Sequence, residues 1–423
     1  MKRAAPRAFL PLLCCLFFFP GVAAAETLFD RNASAPGLNF DVPAPLLPRL
    51  SGAPEVSARA VVLLDAATGT VLYSKNPAKE IPPASLTKVV AMHIALNEIA
   101  AGRACMNELV PICVQSWAQS QPPFSSLMFL EPGQTVTLGE LLTGLAVPSG
   151  NDASFAVALR FSPSVDEFSA MMTAEVNRMG LTGTRFVEPS GISAQNATTA
   201  AEFASFSREY LRLHPQSLAL FHSVREFGFP AAHNVREAIR AAPGTIVQAN
   251  RNNLLRTFPG TDGLKTGFIP ASGFNVALTA ERDGTRFVAV ILGSPTADDR
   301  NRDGELLLSW AFDNFRTVRP ELPYIETARL WKGGERRAVL RPAEPLEFTA
   351  PADRAGGRLW FAVEKDGPLI APLPAGHPAG WLVFADDSGE VHRVRLVTAR
   401  EYTRGNFFRR VWHAIRLFFG AGR

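Results

Sequence analysis

Ile81-Pro-Pro-Ala-Ser85-Leu-Thr-Lys88-Val-Val-Ala-Met92 is the stretch on which the reading of this chain turns. Proline suits the entrance of a helix and breaks its interior. Pro82 and Pro83 therefore place a helix start at Ser85, and the apolar run after Lys88 carries that helix to about residue 101. Ser85 and Lys88 then stand three apart, where side chains on one helical face meet. A hydroxyl beside an amine at a helix N-terminus can form an activated nucleophile. Alone, the four residues are equally a solvated first turn, so their meaning depends on the rest of the chain.

Outward from this stretch, elements alternate. Residues 58–65 read as a buried strand, Ala66-Ala-Thr-Gly69 as a turn and residues 70–74 as a second strand, together a hairpin. Beyond the helix, residues 109–114 are a short strand, Pro132-Gly133 a turn and residues 137–147 a helix. The polar loop Pro148-Ser149-Gly150-Asn151-Asp152 follows, and residues 153–161 resume a helix. Such a loop either caps the second helix or lines a cleft. Helices are expected over 165–180 and 199–213, and a strand with an Asn-rich turn over 243–258. Strands then begin at Leu264, at Gly273 and at Arg286, the last two around the Asp283-Gly284 turn. A helix over 303–315 closes the region. Beyond Arg319, short alternating runs such as Arg358-Leu-Trp-Phe-Ala-Val363 lie between Pro/Gly turns and read as a small all-β module.

With 423 residues, 47% of them hydrophobic and 19% charged, the chain has an ordinary globular composition and room for two or three domains. Residues 1–25 read as an export signal: Lys2, Arg3 and Arg7 precede an apolar run, and Ala23-Ala-Ala25 offers a cleavage site. Residues 26–50 read as an extended arm, 51–319 as the catalytic domain, 320–400 as the β-rich domain and 401–423 as a terminal helix. Cys14 and Cys15 leave with the signal. Cys105 and Cys113 either pair in an oxidising compartment or sit as buried apolar thiols, and the second is preferred. The seven histidines are scattered, so neither a metal site nor a cofactor is expected. Asp299-Arg-Asn-Arg-Asp303-Gly304 opens like a calcium loop, but its twelfth position is Trp310 where a bidentate Glu is required. It reads as a solvated helix start.

The terminal stretch is amphipathic. On a helical wheel Phe408, Val411, Trp412, Ile415, Phe418 and Phe419 share one face, Arg409, His413 and Arg416 the other, and Leu417 alone is misplaced. Residues 401–423 hold five arginines against one glutamate. With the three basic residues of the signal, the two ends exceed the whole chain's net charge of +4, so the body between them is mildly acidic. This is the charge pattern of a membrane-surface helix, not of a nucleic-acid surface.

Three polar fragments now stand in order, each at the edge of an apolar element: Ser85-x-x-Lys88, Ser149-Gly150-Asn151 and Lys265-Thr266-Gly267. Together they resemble the Ser-x-x-Lys, Ser-x-Asn, Lys-Thr-Gly set of penicillin-binding proteins and serine β-lactamases. Ser126-Leu-Met-Phe-Leu-Glu-Pro-Gly-Gln-Thr-Val-Thr137, Gly144-Leu-Ala-Val-Pro-Ser-Gly-Asn-Asp-Ala153 and Asp262-Gly-Leu-Lys-Thr-Gly267 resemble more narrowly the low-molecular-mass D-alanyl-D-alanine carboxypeptidases, a peptidase S11-like family. The likeness covers roughly residues 50–420.

The resemblance implies an α+β fold: a β-lactamase/transpeptidase-like domain of helices and antiparallel sheet, then a small all-β domain and the amphipathic helix. It implies a serine hydrolase that removes the terminal D-alanine from peptidoglycan pentapeptides and is acylated by β-lactam antibiotics. Cross-link endopeptidase and, further off, β-lactamase are the alternatives. The enzyme would lie outside the cytoplasmic membrane, held to its outer face by the terminal helix. Chemically, Lys88 can take the Ser85 proton only if burial and a second cation, Lys265, depress its pKa. By family likeness the oxyanion donors are the backbone amides of Ser85 and of Phe268, which follows Gly267 where the family more often has Tyr or His. Ser149 could relay a proton to the leaving amine and Asn151 hold the substrate amide. Lys265 and Thr266 suit the substrate carboxylate, and Arg286 matches a family arginine near it. Glu188 lies where a lactamase keeps its water-activating Glu, but its Glu-Pro-Ser-Gly-Ile context matches a carboxypeptidase loop better.

Overall fold

The computed structural model describes residues 35–419, apart from 42–43, 51, 236–243, 323–325 and 356. The proposed signal, the first part of the arm and the last four residues lie outside the described residues.

The hairpin β1 (Ala60–Asp65) and β2 (Val71–Lys75) forms, and β1 pairs antiparallel with a distant strand. That partner is the last of three strands, β3 (Thr261–Ile269), β4 (Gly273–Arg282) and β5 (Thr285–Ser294), giving a five-stranded antiparallel sheet of order β2-β1-β5-β4-β3. Side chains alternate across a strand, and here both faces are covered. Val62 and Leu64 of β1 and Val288 and Val290 of β5 enter one core; Val61, Leu63, Phe287 and Ile291 enter the other. That is why these strands read as continuous apolar runs. Each such side chain contributes about 1.5–3 kcal/mol on burial.

The first core also holds α1 (Thr87–Ala100), whose residues Thr87 to Leu96 are all buried. A helix buried all round belongs inside a domain. Around it lie α2 (Leu138–Ala146), α3 (Asn151–Phe161), α4 (Val165–Arg178) and α5 (Ala200–Leu213). Thr137 and Glu140 form a reciprocal capping box at the start of α2. The second core is closed by α6 (Ala297–Asn314). This helix begins six residues before the sequence reading placed it, because Thr296 accepts from Asp299 N at 3.0 Å and caps it. The calcium-like stretch is therefore the opening turns of α6.

Two further expectations need correction. Residues 44–50 of the arm form a 3-10 helix whose Leu46 is buried in the second core, not an extended strap. Cys105 and Cys113 are unpaired, as preferred, but both are exposed rather than buried. The strand expected within 243–258 is Ile246–Ala249; its antiparallel partner Glu226–Phe229 and a π-helical turn (Leu218–His222) had no signature in the sequence.

The C-terminal region builds a six-stranded sheet from β6 (Thr327–Trp331), β7 (Arg337–Pro342), β8 (Trp360–Lys365), β9 (Leu369–Ile370), β10 (Pro378–Asp386) and β11 (Gly389–Thr398), in the order β8-β10-β11-β7-β6-β9. It has its own core around Leu340, Leu382, Phe384 and Leu396. A separate strand pair, Phe315–Val318 with Phe348–Pro351, ties it to the first region. There the buried carboxylate of Asp65 accepts from Thr317 Oγ1 (2.8 Å) and Thr349 Oγ1 (2.9 Å). Burial raises the pKa of that carboxyl despite its hydrogen bonds.

The terminal helix α7 (Phe407–Phe418) lies against this sheet by its polar face. His413 is buried and accepts from Lys332 N at 2.8 Å. Phe408, Trp412 and Phe418 face outward, exposed by 83%, 60% and 85%. Leu417, out of place on the wheel, is half-buried on the docked side.

Candidate active site

Ser85 sits in a 3-10 turn (Ala84–Leu86) that runs directly into α1. Ala84 before it adopts φ +51°, a conformation costly for a residue with a Cβ. The surroundings are fitted to this turn. A Cβ on Gly191 would fall 1.9 Å from Ala84 O, and one on Gly267 would fall 2.9 Å from Ser85 N. The Lys-Thr-Gly strand and the loop after Glu188 therefore press against the backbone of Ala84 and Ser85.

Lys88 is fully buried, one turn into the helix. Its Nζ lies 2.9 Å from Ser85 Oγ, 2.8 Å from Asn151 Oδ1 and 2.5 Å from Ser190 O. A neutral amine has two hydrogens and one lone pair. Asn151 and Ser190 offer only acceptors here, so they take the two hydrogens. The lone pair is then left facing Ser85, as a base requires. Burial pushes the Lys88 pKa down to about 7; Glu188 and Asp152 pull it up, and Arg251 adds to the lowering. The sequence reading gave the second cation's part to Lys265. The structure gives it to Arg251, while Lys265 is itself held well below its usual range, first by burial and next by Lys88.

The polar loop lines the cleft, and Asn151 opens α3 with its side chain on Lys88. Ser149 takes φ +65°, is 2% exposed and has no hydrogen-bond partner among the described residues. The loop is held by Asp152, whose buried carboxylate accepts from the backbone N–H groups of Met128 (2.8 Å), Phe129 (2.8 Å), Leu130 (3.0 Å) and Ala153 (2.9 Å). This explains the spacing between the Ser126 stretch and the Ser149 fragment: one carboxylate binds them together.

On the opposite wall runs β3, an edge strand of the sheet. Lys265 and Thr266 are buried, Lys265 Nζ donating to Thr266 O at 3.1 Å. Phe268 is half-exposed and stacks on Phe274 with ring centres 4.3 Å apart. Behind β3, His222 Nδ1 lies 3.0 Å from Leu264 O, and Tyr210 Oη lies 2.8 Å from His222 Nε2. The carbonyl can only accept, so His222 carries its proton on Nδ1 and takes one from Tyr210 at Nε2. Burial lowers the His222 pKa to about 4, so the ring is neutral and simply anchors the strand one residue before Lys265.

One expected residue falls elsewhere, and Glu188 is the loop residue that its context suggested. Arg286 donates to both carboxylate oxygens of Asp262 at 2.8 Å and also to Glu281. Lys265 is level with Ala277 and Val290, so Arg286 lies two strands over and four residues along, about 13 Å by strand rise alone. Its charge is spent at the far end of the sheet. Glu188 accepts from Ser190 N (2.7 Å), Ser190 Oγ (2.5 Å), Gly191 N (2.7 Å), Ser193 N (3.2 Å) and Asn196 Nδ2 (2.9 Å). A carboxylate so fully engaged builds a loop and is not free to activate water.

The structure adds two cations that sequence reading missed. Arg251, in the Asn-rich turn, donates to Pro148 O at 3.3 Å and acts on both Lys88 and Lys265. Arg300, on the first turns of α6, is 7% exposed, and among the described residues its side chain bonds only to Asn301 Oδ1. Burial lowers its pKa to about 10, against the opposing pull of Asp298, and it too acts on Lys265. Three cations, Lys88, Arg251 and Arg300, thus converge on Lys265, and none of them has a salt-bridge carboxylate among the described residues. The only signal in the sequence for the two arginines was their place in polar turns, which is where any solvated arginine sits.

The family model described as D-alanyl-D-alanine carboxypeptidase matches residues 49–296. The chain is similar to the D-alanyl-D-alanine carboxypeptidase DacC of Escherichia coli (strain K12), 31% identical over 373 residues that cover 87% of this chain and 90% of that protein. It is similar to DacA of the same organism at 31% over 399 residues, covering 93% and 94%. Among solved structures, penicillin binding protein 5 from Haemophilus influenzae superposes with a TM-score of 0.72 at 28% identity, over 83% of this chain and 99% of that one.

Proposed function

The chain belongs to the D-alanyl-D-alanine carboxypeptidase family, and on that premise we propose how its residues carry out the reaction. Ser85 is the nucleophile and Lys88 its base. The observation that carries this is the buried Lys88 amine, its two hydrogens engaged, 2.9 Å from Ser85 Oγ. Ser85 Oγ attacks the carbonyl between the two D-alanines and its proton passes to Lys88. The oxyanion collapses with release of D-alanine, whose amine takes a proton from Lys88 through Ser149. Water, giving a proton to Lys88, then attacks the acyl-Ser85 ester; Ser85 Oγ takes that proton back as the shortened peptide leaves with a free carboxyl group.

The peptide lies along the open edge of β3, with backbone amides of Ser85 and Phe268 at the oxyanion. Asn151 holds the substrate amide when Lys88 shifts toward Ser85. The terminal carboxylate is bound by Thr266 and Lys265, supported by Arg300, a buried arginine with no salt-bridge partner among the described residues. A β-lactam is attacked in the same way and leaves a stable acyl-enzyme, since Glu188 is occupied. The signal of residues 1–25 and the outward apolar face of α7 support an enzyme that works outside the cytoplasmic membrane, held on its surface by that helix. No helix among the described residues is long and apolar enough to cross a membrane.

Fluorescent penicillin and a D-alanyl-D-alanine pentapeptide test the scheme. Covalent labelling of the wild type, lost in Ser85→Ala together with D-alanine release, is expected. Labelling that survives Ser85→Ala would put the nucleophile elsewhere. Rapid loss of label with an opened lactam would make the protein a lactamase. Deletion of residues 403–423 is expected to release the protein from membranes.

A further inference from the structure

Between α7 and strands β6 and β7 lies a cleft of about 650 Å³, lined by Arg329, Arg336, Arg337, Arg409, Arg416 and Trp412. None of these five arginines has a carboxylate partner among the described residues. Glu335, beside them, gives its carboxylate to Arg400 at 2.7 Å. What orders the cleft is neutral. Arg337 donates to Thr327 Oγ1 (2.6 Å) and Thr327 O (3.0 Å); Arg409 donates to Gly334 O and Glu335 O, both at 2.7 Å. Arg329 and Arg416 lie over the Trp331 ring at 4.2 Å and 6.0 Å from its centre. His413 adds no charge: it accepts from Lys332 N, and burial with Arg409, Arg329 and Arg416 lowers its pKa.

Five guanidinium groups gathered with no carboxylate among the described residues repel one another until an anion joins them. Their planar forks match phosphate oxygens. Trp412 belongs both to this cleft and to the outward apolar face of α7, beside Phe408 (83% exposed) and Ile415 (45%). One ligand satisfies both features: a phosphate joined to apolar chains. A free anion would leave the aromatic face in water. We propose that this cleft binds the phosphate head of an anionic phospholipid while α7 rests on the acyl chains. The inference deepens the membrane-surface reading above and rests on it. Three of the five arginines come from the β module, which gives that module a share in the anchoring.

The test uses the mature full-length chain and two vesicle types, pure phosphatidylcholine and phosphatidylcholine with phosphatidylglycerol. The variants are Arg329→Ala/Arg336→Ala/Arg337→Ala, which leaves α7 untouched, and Arg336→Glu, whose side chain bonds to no described residue. Wild type is expected to bind the anionic vesicles at least tenfold more tightly. The triple variant loses most of that gain, and Arg336→Glu loses a part of it, while both still bind as the wild type does to pure phosphatidylcholine and retain penicillin labelling. Variants that keep the full anionic gain overturn the cleft and leave the membrane reading standing. Wild type that binds neither vesicle overturns both. Glycerol 3-phosphate that quenches Trp412 fluorescence at micromolar concentration, where vesicles do not compete, would make the occupant a free anion and overturn the lipid.

Discussion

The molecule has two clefts built from cations without salt-bridge carboxylates among the described residues, and they behave in opposite ways because of burial. In the catalytic cleft Lys88 and Lys265 are 0% and 2% exposed, and the cost of burying their charge lowers their pKa values. A lysine so placed can act as a base, the role proposed for Lys88. In the cleft under α7 the arginines reach water and can only attract an anion. Arginine suits the second task because it does not deprotonate, and lysine the first because it does. The same clustering of like charge thus gives proton transfer in one place and anion binding in the other.

The largest effect expected from breaking the first cleft is loss of the nucleophile. Ser85→Ala should lower acylation by penicillin by about 10⁴-fold or more, since a catalytic unit fails with any one of its members. Its thermal midpoint should scarcely move, because the Ser85 side chain is only half-buried and the turn is held by backbone packing. A collapse in stability would mean that the hydroxyl is structural. Asp152→Asn comes next. An amide brings one acceptor and two donors to a pocket of four N–H groups, so at least one is left unpaired, at a cost of about 2–3 kcal/mol in urea unfolding.

What could be read from the sequence followed a physical divide. Ser85, Lys88, Ser149, Asn151, Lys265 and Thr266, which the structure gathers around one cleft, were visible because each sits at the tip of an apolar element. Arg251 and Arg300 were not, since only packing of turns distant in sequence turns a surface-like arginine inward. Arg286 misled for a related reason. Its strand was legible, but its level along the sheet depends on register, and four residues of register moved it out of the cleft. The start of α6 was missed because Thr296 and Asp299 resemble a loop until the cap is seen. The exposed cysteines show that apolar residue type does not fix burial in the loops of residues 102–120.

The pH dependence sharpens the contrast between the clefts. Lys88 acts as base only when neutral, and its pKa is about 7, down from 10.5. Acylation is therefore expected to be flat above pH 7 and to fall about tenfold for each unit below it. Arg251→Ala removes a cation that lowers this pKa, so the acid limb should move to higher pH. A limb that stays put would assign the lowering to burial alone. Binding to anionic vesicles, resting on arginine, should show no matching step across the same range.

The smallest effect concerns stability and carries a sign that decides between two views of the arginine cleft. If the five guanidinium groups were part of the structural framework, neutralising one would destabilise the β module. If they are held together against their mutual repulsion to receive an anion, neutralising one relieves strain. Arg336 is the right position, because its side chain is exposed and makes no bond to any described residue. Arg336→Gln is expected to raise the urea midpoint slightly at low salt. The gain should fade by about 1 M salt, where the screening length is about 3 Å. It should also fade when anionic vesicles are added, because the wild type then gains the counter-charge that the variant no longer needs. A loss of stability at low salt would show that the arginines hold the module together, and would leave the cleft without its reason to bind phosphate.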